Sequence, residues 1–378
     1  MQKGDVKKAS ALMMCTVFAG FLIIFTLSYF TIIPDSVSYF ENRSLAPRPK
    51  LSAEKIKDGS FFTDVEKYLS DHILFRKGLV SLSTNISCLL GKRRLRSVYM
   101  GDGRLFLRIA ENDSAVKQVC GEYNAFADKV DVPVDYLLIP SASMIYGDQL
   151  PPGTANTENE QSITELIRSS LNEKITLINP VDTLSELAET GTEVYLRTDH
   201  HWTIDGAKAV HDMYIRHIGR ELIPVDYQRE TIYDYRGMLF SNFPSYAIDA
   251  DRVDYLIDPE GKYTVEQPLT GESDDKILFP QAAFQIYKYG VFLEGDKGCR
   301  HIHNSNAPKG TIMVVKDSFG LAFMTLLASQ YSDIYSFDVR HYDGEKTASE
   351  LCREVGAERV LIINMVYSVI NNEMYGLS

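Results

Sequence analysis

The residues best suited to chemistry stand in one short segment, residues 198–203, with the sequence TDHHWT. It contains two of the eight histidines and the single tryptophan, and Asp199 lies within two residues of both histidines. Far downstream, Ser318 follows a short apolar run at 311–315. An acid, an imidazole and a hydroxyl presented at a turn are the components of a Ser-His-Asp acyl-transfer site. The sequence therefore predicts such a site, with Ser318, His201 and Asp199 as its catalytic residues.

The spacing of Asp199 and His201 allows the two side chains to pair. In an extended segment, residues i and i+2 point to the same side. Asp199 would then hold the His201 ring in one tautomer, and His200 would point the other way. Two alternatives stay open: a hydrogen-bonded histidine pair at a helix start, and a metal site built from Asp-His-His. A metal site needs further ligands, and the other close histidine pair is His301 with His303.

Ser318 is expected at a sharp turn between a strand and a helix. N–H groups at such a helix end are suited to stabilising an oxyanion. The alternative is a serine that only caps the following helix. The sequence Lys-Asp-Ser-Phe-Gly at 316–320 lacks the glycine pattern of a nucleophile elbow, so the turn is not that motif.

The N-terminal region predicts the compartment. No charge occurs between Ala9 and Pro34, and residues 11–33 are enough to span ~30 Å of hydrocarbon as a helix. Lysines precede this segment, so residues 1–10 are expected in the cytoplasm and the rest outside. A cleaved signal peptide and a buried core helix are the alternatives, although no Ala-x-Ala cleavage site follows. We expect a single-pass cell-membrane protein with an extracytoplasmic catalytic domain.

The net charge and the positions of the cysteines indicate which kinds of partner and cofactor to expect. The net charge of −12 argues against nucleic acid. Cys15 lies in the apolar segment, and Cys88, Cys120, Cys299 and Cys352 are far apart without a Cys-x-x-Cys motif. This pattern indicates neither a cysteine zinc site nor a compact disulfide framework. We expect no metal and no cofactor, and the disulfide pairing stays open.

The order of helices and strands predicts the fold class. Residues 34–114 are expected to form a stalk, a helix at 61–89 and a hairpin at 98–107. Residues 115–378 alternate between helix and strand, which predicts an α/β domain whose mainly parallel sheet is covered by helices on both faces. An irregular β-rich insertion is expected at 225–300. The expected helices are 115–129, 162–171, 182–189, 203–222, 319–330 and 345–355, and the expected strands are 136–139, 175–178, 311–315, 334–337 and 360–363.

Three polar residues follow strands of this predicted sheet. They are Ser318, Arg340 and Asn364. Sheets of this kind bind ligands beyond the carboxyl ends of their strands. All three side chains are therefore expected at that edge.

These segments resemble the bacterial DHHW proteins, named for the tetrapeptide that stands here at 199–202. Those proteins are similar to the SGNH-hydrolase-like alginate O-acetyltransferases, in which an Asp-x-His pair precedes the serine. The tetrapeptide and the Asp-Ser turn within Lys316–Gly320 are the specific similarities. Supporting similarity lies in Glu41–Leu45, Asp58–Phe61, Asp71–Arg76, Ile139–Tyr146, Leu150–Pro151, Asp338–Tyr342 and Leu361–Asn364.

The resemblance implies an SGNH-like fold and a role for each site residue. Ser318 would be the nucleophile, His201 the base and Asp199 the orienting acid. Candidates for contacts with the substrate or the oxyanion are Arg340, Asn364, His200 and Trp202. The serine turn has Lys-Asp-Ser in place of Gly-Asp-Ser, so the oxyanion geometry of the hydrolases is not carried over.

The expected reaction is transfer of an acyl group, most simply acetyl, to or from hydroxyls of a cell-wall or secreted polysaccharide. A sugar acceptor makes the enzyme an O-acetyltransferase and water makes it an esterase. By analogy with the alginate system, a transferase implies a multi-spanning acyl-carrier membrane partner. The alternatives are a non-catalytic envelope protein that binds glycans through its tyrosines, and a metal-dependent phosphoesterase.

Overall fold

The structure is a computed structural model that describes residues 3–31, 34–41, 43–374 and 376–377. Residues 1–2 of the predicted cytoplasmic tail, residues 32–33 of the predicted membrane span, and Asn42 lie outside the described residues. The chain forms two compact units, one ending at Lys92 and the other beginning at Arg93. The predicted division into tail, span, stalk region and α/β domain is finer than these two units and stays a prediction.

In the first unit, a long apolar helix is followed by short elements. Helix α1 spans Lys3–Thr31, and its stretch Lys8–Leu27, with a mean hydropathy of 2.2, is long and apolar enough to cross a membrane. None of this stretch is buried in the chain, so it is not the core helix of a soluble protein. The elements that follow are β1 (Val37–Ser38), β2 (Arg43–Ser44), α2 (Ala53–Lys57), α3 (Ser60–Asp71) and α4 (Arg76–Leu89).

The single helix expected over 61–89 is wrong, because α3 and α4 are separated by a break. Phe75 has a φ of 62°, a left-handed conformation that interrupts a right-handed helix. Asp71 at the end of α3 accepts hydrogen bonds from both terminal nitrogens of Arg43, at 3.0 and 2.6 Å. This pairing lowers the pKa of Asp71 to about 2. Arg76 at the start of α4 donates to Glu41 at 2.6 Å, so two segments of family-like sequence meet at the break.

The second unit contains the main sheet and the helices around it. Its strands are β3 (Arg94–Leu95), β4 (Val98–Met100), β5 (Leu105–Leu107), β6 (Val134–Ile139), β7 (Ile175–Ile178), β8 (Gln228–Tyr235), β9 (Asp251–Ile257), β10 (Tyr263–Gln267), β11 (Glu272–Asp274), β12 (Cys299–Asn304), β13 (Thr311–Lys316), β14 (Asp333–Phe337) and β15 (Arg359–Met365). Its helices are α5 (Asp113–Asp128), α6 (Ala142–Ile145), α7 (Asn156–Ser170), α8 (Val181–Glu189), α9 (Ile204–His217), α10 (Met238–Asn242), α11 (Gly320–Leu327), α12 (Ala348–Glu354) and α13 (Val366–Ile370).

Over the described residues, eight strands form one mixed sheet in the order β11-β10-β12-β14-β13-β15-β6-β7. The five strands from β14 to β7 are parallel to their neighbours. Strands β12, β10 and β11 extend this core in antiparallel pairing. The predicted α/β class is therefore confirmed, and the sheet has more antiparallel pairing than the sequence indicated.

Helices cover the parallel core on both faces. Every residue of β6 is buried, and so is nearly every residue of β13 and β15, which requires cover on each side of the sheet. The helices form two packed groups, α5 with α7 and α13, and α9 with α8 and α11. The predicted hairpin at 98–107 is confirmed as the antiparallel pair β4–β5.

The segment 225–300 is irregular and β-rich, as predicted, and it also contributes to the main sheet. Strands β8 and β9 form an antiparallel hairpin with a shift of register near Tyr235. Strands β10 and β11 and the start of β12 belong to the antiparallel extension. This integration was not predicted, because short strands separated by long turns give little periodicity.

Helix α9 begins where the sequence predicted and ends earlier. Thr203 caps it by accepting from the Gly206 N–H at 3.1 Å. The helix was expected to continue to Leu222 and stops at His217. Gly219 has a φ of 74°, the left-handed conformation with which many helices end.

Gly206 and Gly121 both lie inside helices and differ in their surroundings. A methyl group on Gly206 would lie 2.5 Å from the Val194 carbonyl oxygen, whereas nothing lies within 4 Å of one on Gly121. We expect Gly206→Ala to lower the free energy of unfolding by about 1–3 kcal/mol, because packed backbone must move. Gly121→Ala should raise it by about 0.5–1 kcal/mol through helix propensity. Denaturant unfolding, followed by the fluorescence of the buried Trp202, measures the free energy of unfolding of both variants. If the two substitutions changed this free energy equally, the close packing of Gly206 against Val194 would be contradicted.

Candidate active site

The acid and the histidines lie in one tight loop, residues 196–201, called the Asp-His loop below. An antiparallel pair between Tyr195 and Trp202 closes it. The Leu196 N–H donates to the His201 carbonyl at 3.0 Å across the same base. Because helix α9 follows directly, the loop is fixed at both ends.

This geometry corrects the expectation of an extended segment. Asp199 reaches His201 because the backbone turns, and not because the two residues alternate along a strand. His200 does not point away, since its ring centroid is 4.0 Å from that of His201. It also lies beside Phe319, with 5.9 Å between the ring centroids.

A buried carboxylate outside the loop holds its backbone. Asp251, at the start of β9, accepts hydrogen bonds from the Arg197 and Thr198 N–H groups, both at 2.7 Å. It also accepts from the Thr198 hydroxyl at 2.5 Å. Burial raises the pKa of Asp251 to about 6, although these hydrogen bonds oppose the rise. The start of the hairpin strand β9 thus fixes the course of the Asp-His loop.

Asp199 is buried and fully hydrogen-bonded. Its Oδ1 accepts from the His201 ring Nδ1 at 2.6 Å and from the His201 N–H at 3.1 Å. Its Oδ2 accepts from the Tyr235 hydroxyl at 2.8 Å and from the Met238 N–H at 2.9 Å. Burial by itself would raise the pKa of Asp199, but its electrostatic interactions and hydrogen bonds with His201 and His200 hold it well below its ordinary value. The carboxyl is therefore ionised.

The structure brings His201 into contact with Ser318 on its other side. The His201 Nε2 lies 2.8 Å from the Ser318 Oγ, which completes a hydrogen-bonded chain from Asp199 to the serine. The imidazole stacks on Tyr289, with 4.1 Å between centroids and 16° between planes. Burial and the neighbouring His200 lower the pKa of His201, against the opposing effect of Asp199. The ring is therefore neutral near pH 7 and able to accept a proton.

Ser318 stands in the turn between β13 and α11, as the sequence predicted. Asp317 holds this turn, because its Oδ1 accepts from the Phe319 N–H at 2.9 Å. Its Oδ2 accepts from the Met365 N–H at 2.8 Å and from the Ser368 hydroxyl at 2.7 Å, which joins the turn to the end of β15. A fixed turn keeps Ser318, 8% exposed, in place against the imidazole.

An ion cluster lies directly before the serine. Lys316 is buried, and its Nζ donates to Asp296 at 2.6 Å and to Asp338 at 2.9 Å. Asp338 also accepts two hydrogen bonds from the Arg340 guanidinium, at 2.9 and 2.7 Å. Two cations and two anions balance, which is what burial of a lysine requires. Gly320 leaves room for this lysine, because a methyl group there would lie 2.7 Å from the Lys316 Cβ.

Residues 109–234 match the family model of the SGNH hydrolase-like domain of the acetyltransferase AlgX. Among solved structures, a DHHW family protein from Eubacterium siraeum is 22% identical, with a TM-score of 0.61 over 74% of this chain and 97% of its own. Bacillus cereus PatB1, in a structure with a sulfonyl adduct, is 20% identical, with a TM-score of 0.60 over 72% of this chain and 95% of its own. The fold is SGNH-hydrolase-like. This confirms the predicted resemblance. No curated protein gives a significant match to the chain.

Of the remaining residues predicted for the site, two do not lie beside the serine with an exposed side chain. Asn364 is fully buried, and its amide donates to the Tyr123 hydroxyl at 2.5 Å and accepts from Tyr136 at 2.9 Å. Trp202 is fully buried too, at the base of the Asp-His loop. Asn364 and Trp202 pack inside the protein. Their positions do not support the contacts with a substrate or an oxyanion that were expected for them.

Arg340 and His200 lie nearer to solvent. The Arg340 side chain is 20% exposed while it pairs with Asp338, and His200 is 17% exposed beside His201. Both remain candidates for contact with a substrate.

Several residues of the site were missed from the sequence. The clearest are Tyr235, Asp251, Tyr289 and Asp296, all within the segment 225–300. That segment shows no periodic pattern, so nothing in it distinguishes a residue beside Asp199 from one on the surface. The only hint was its tyrosine and aspartate content.

The arrangement of Asp199, His201 and Ser318 is better suited to proton transfer than to binding a metal ion. Asp199, His200 and His201 offer three ligand atoms within 4.8 Å of one another. However, Asp199 and His201 are already paired directly, and the free nitrogen of His201 faces Ser318. An ion bound by His201 Nε2 would therefore have to break the contact of this buried imidazole with Ser318.

The charge of Asp199 sets a measurable property of His201. We expect His201 to titrate below its ordinary pKa of about 6.5, so that it stays neutral at pH 7. Asp199→Asn removes the charge that opposes this shift, and should lower the pKa of His201 further, because the charged imidazole loses its adjacent carboxylate.

Histidine ring resonances of the full chain, followed by NMR against pH and assigned with His201→Gln, measure this pKa. His211, a buried histidine beside Asp212, is a matched control whose pKa should change with Asp212→Asn and not with Asp199→Asn. An unchanged His201 pKa in Asp199→Asn would show that the pair is not electrostatically coupled.

Proposed function

We propose that the chain is an extracytoplasmic serine acyltransferase that acts on O-acetyl groups of a cell-wall or secreted polysaccharide. One observation carries the proposal, the hydrogen-bonded chain Asp199–His201–Ser318 with an ionised acid and a neutral imidazole. A serine that only caps a helix, or a histidine pair with a structural role, does not require an ionised acid beside a neutral imidazole. A base poised beside a hydroxyl does need it.

The reaction runs in two halves. His201 accepts the proton of the Ser318 hydroxyl while its Oγ forms a bond to the acyl carbon of the donor. The bond from that carbon to the leaving group breaks, and His201 returns the proton to the leaving group. His201 then accepts a proton from an acceptor hydroxyl as the oxygen of that hydroxyl bonds to the acyl carbon. The bond from this carbon to the Ser318 Oγ breaks, and His201 returns the proton to Ser318. Asp199 keeps the imidazole in the required tautomer and stabilises its charged form.

The Ser318 N–H is the best candidate for the oxyanion donor. In the serine turn, the Phe319 N–H donates to the Asp317 carboxylate and the Gly320 N–H to the Asp317 carbonyl. Within the described part of the chain, the Ser318 N–H has no such acceptor. It lies on the reacting residue itself, where charge develops on the acyl oxygen.

The matched family model supports acetyl as the acyl group, because it describes an acetyltransferase. With a sugar hydroxyl as acceptor the enzyme is a transferase, and with water it is an esterase. The transferase needs a donor outside the cytoplasm, which a multi-spanning acyl-carrier membrane protein would supply. Arg340 and His200 are proposed to contact the substrate.

One contact and one exposed surface support an uncleaved membrane anchor. The Tyr29 hydroxyl, near the end of α1, donates to the Leu69 carbonyl of α3 at 2.8 Å, so the apolar helix is joined to another helix of the same unit. Helix α4 exposes a stripe of large apolar residues, each 46% exposed or more, while its Ser81 and Thr84 are buried. The stripe is Leu79, Leu82, Ile86 and Leu89. A helix that faces outward with its apolar side is typical of one that lies at a membrane surface.

Acylation of Ser318 tests the proposal directly. We expect the full chain in detergent, incubated with an aryl acetate, to gain the mass of one acetyl group, located on Ser318 by peptide mapping. Because PatB1 holds a sulfonyl adduct, an aryl sulfonyl fluoride serves as a second probe. Ser318→Ala should abolish both labels, and His201→Ala should slow them by about 10²–10⁴-fold, the range of general-base catalysis.

Ser329, a buried serine just after α11 in the same unit, provides a matched control, because Ser329→Ala should label normally. A folded wild-type chain that takes no label would favour a glycan-binding protein. Labelling that is indifferent to His201 would remove the proposed base. Acetyl appearing on added polysaccharide, rather than as free acetate, identifies the transferase.

The anchor makes a separate prediction about the mature protein. We expect it to fractionate with membranes, to resist high salt and alkaline carbonate, and to dissolve in detergent, since an apolar helix is held by hydrocarbon. Its intact mass should include residues 3–31. A mature chain that begins beyond Pro34 in the soluble fraction would show a cleaved signal instead.

A further inference from the structure

A second histidine pair lies on the antiparallel extension of the sheet, away from the serine turn in sequence. His301 and His303 are two residues apart on β12, so both side chains lie on one face of the sheet. The strand register places Glu266 of β10 opposite His301, and Asp333 of β14 opposite His303. Three adjacent strands therefore bring two imidazoles and two carboxylates together.

The nitrogens and oxygens of this group converge. Asp333 Oδ1 lies 2.9 Å from His301 Nε2 and 2.9 Å from His303 Nδ1. The three atoms all lie within 4.8 Å of one another. Zinc bonds of ~2.0–2.2 Å place tetrahedral ligand atoms about 3.3–3.5 Å apart, so small movements would admit an ion.

The surroundings of His301 match those of a metal-bound histidine. Its other nitrogen, Nδ1, lies 3.5 Å from Glu266 Oε2, the position in which a carboxylate orients a ligating imidazole. Its ring stacks on Tyr335, with 4.1 Å between centroids and 2° between planes. Both contacts fix the direction of Nε2. A surface histidine that only forms one hydrogen bond with a carboxylate requires neither the contact with Glu266 nor the stacking on Tyr335.

We propose that His301, His303 and Asp333 bind one divalent ion of the zinc class, with Glu266 orienting His301. Two imidazole nitrogens and one carboxylate oxygen suit zinc better than magnesium or calcium, which prefer oxygen ligands. The His303 side chain is 42% exposed, which leaves room for water as the fourth ligand.

The ion would clamp strands that lead into the active site. From His301, β12 runs back to Cys299 and then to Asp296, while β14 runs on from Asp333 to Asp338. Asp296 and Asp338 hold Lys316 beside the serine turn. Binding is thus expected to stabilise the pairing of β12 with β14, with no part in the chemistry. This inference does not depend on the proposed acyl transfer.

Zinc content and thermal unfolding of the full chain test the site. The protein carries no histidine tag, is kept in detergent, and is stripped with a chelator before zinc is added. We expect one tightly held zinc per chain by elemental mass spectrometry, and a rise in Tm of about 5 °C at zinc well above its Kd, by mass action. Asp333→Asn and His303→Ala should each lose the ion and the rise in Tm.

The control variants remove histidines elsewhere. His217→Ala changes an exposed histidine at the end of α9, and His341→Ala and His200→Ala each remove a histidine from another Asp-His group. All three should keep the zinc. Zinc that follows His200 or His341, or that persists in Asp333→Asn and His303→Ala, would overturn the proposal. So would a wild-type chain that binds none.

Discussion

The ionised carboxylate of Asp199 is the feature on which the rest of the site depends. An isolated charge at that depth costs several kcal/mol, so it persists only where hydrogen bonds replace water. His201, Tyr235 and the Met238 N–H supply them. Two of these three donors come from the end of β8 and the segment that follows it. The irregular region after α9 is therefore a structural requirement of the acid, because without it Asp199 would face water and lose its hold on the imidazole.

The serine depends on a second buried ionic group. Asp317 ties its turn to β15, and Lys316, one residue earlier, is neutralised by Asp296 and Asp338. Removing one partner of such a group typically costs 3–5 kcal/mol, because the other charge stays buried without compensation. Each half of the site thus has its own buried ionic group, Asp199 in one and Lys316 in the other, and Phe319 of the serine turn packs against the His201 ring. Only the His201–Ser318 hydrogen bond joins their reacting atoms.

The fold and the site were predictable to different extents. Strands β7 and β13 were predicted within a residue of their bounds. For β13 the reason is that a buried parallel strand forms a continuous apolar run. The pairing of Asp199, His201 and Ser318 followed from residue types and from the turn at Ser318. The extended Asp-His segment was wrong, since Asp251, more than 50 positions away, bends its backbone. A contact of that range leaves no trace in local periodicity, and the burial of Asn364 between two tyrosines was hidden for the same reason.

Lys316 stands where the sequence Gly-Asp-Ser has its glycine, and its contacts show how the larger side chain fits before the serine turn. Its side chain does not enter the space around the serine hydroxyl, because Asp296 and Asp338 hold the ammonium group and Gly320 clears the path of its stem. Lysine in place of glycine is therefore accommodated with its ammonium group paired to two aspartates. The consequence is electrostatic: a cation close behind the serine, balanced by two aspartates, becomes part of the field in which the oxyanion forms. The surroundings of the serine turn therefore depend on Lys316, Asp296 and Asp338 as well as on the turn itself.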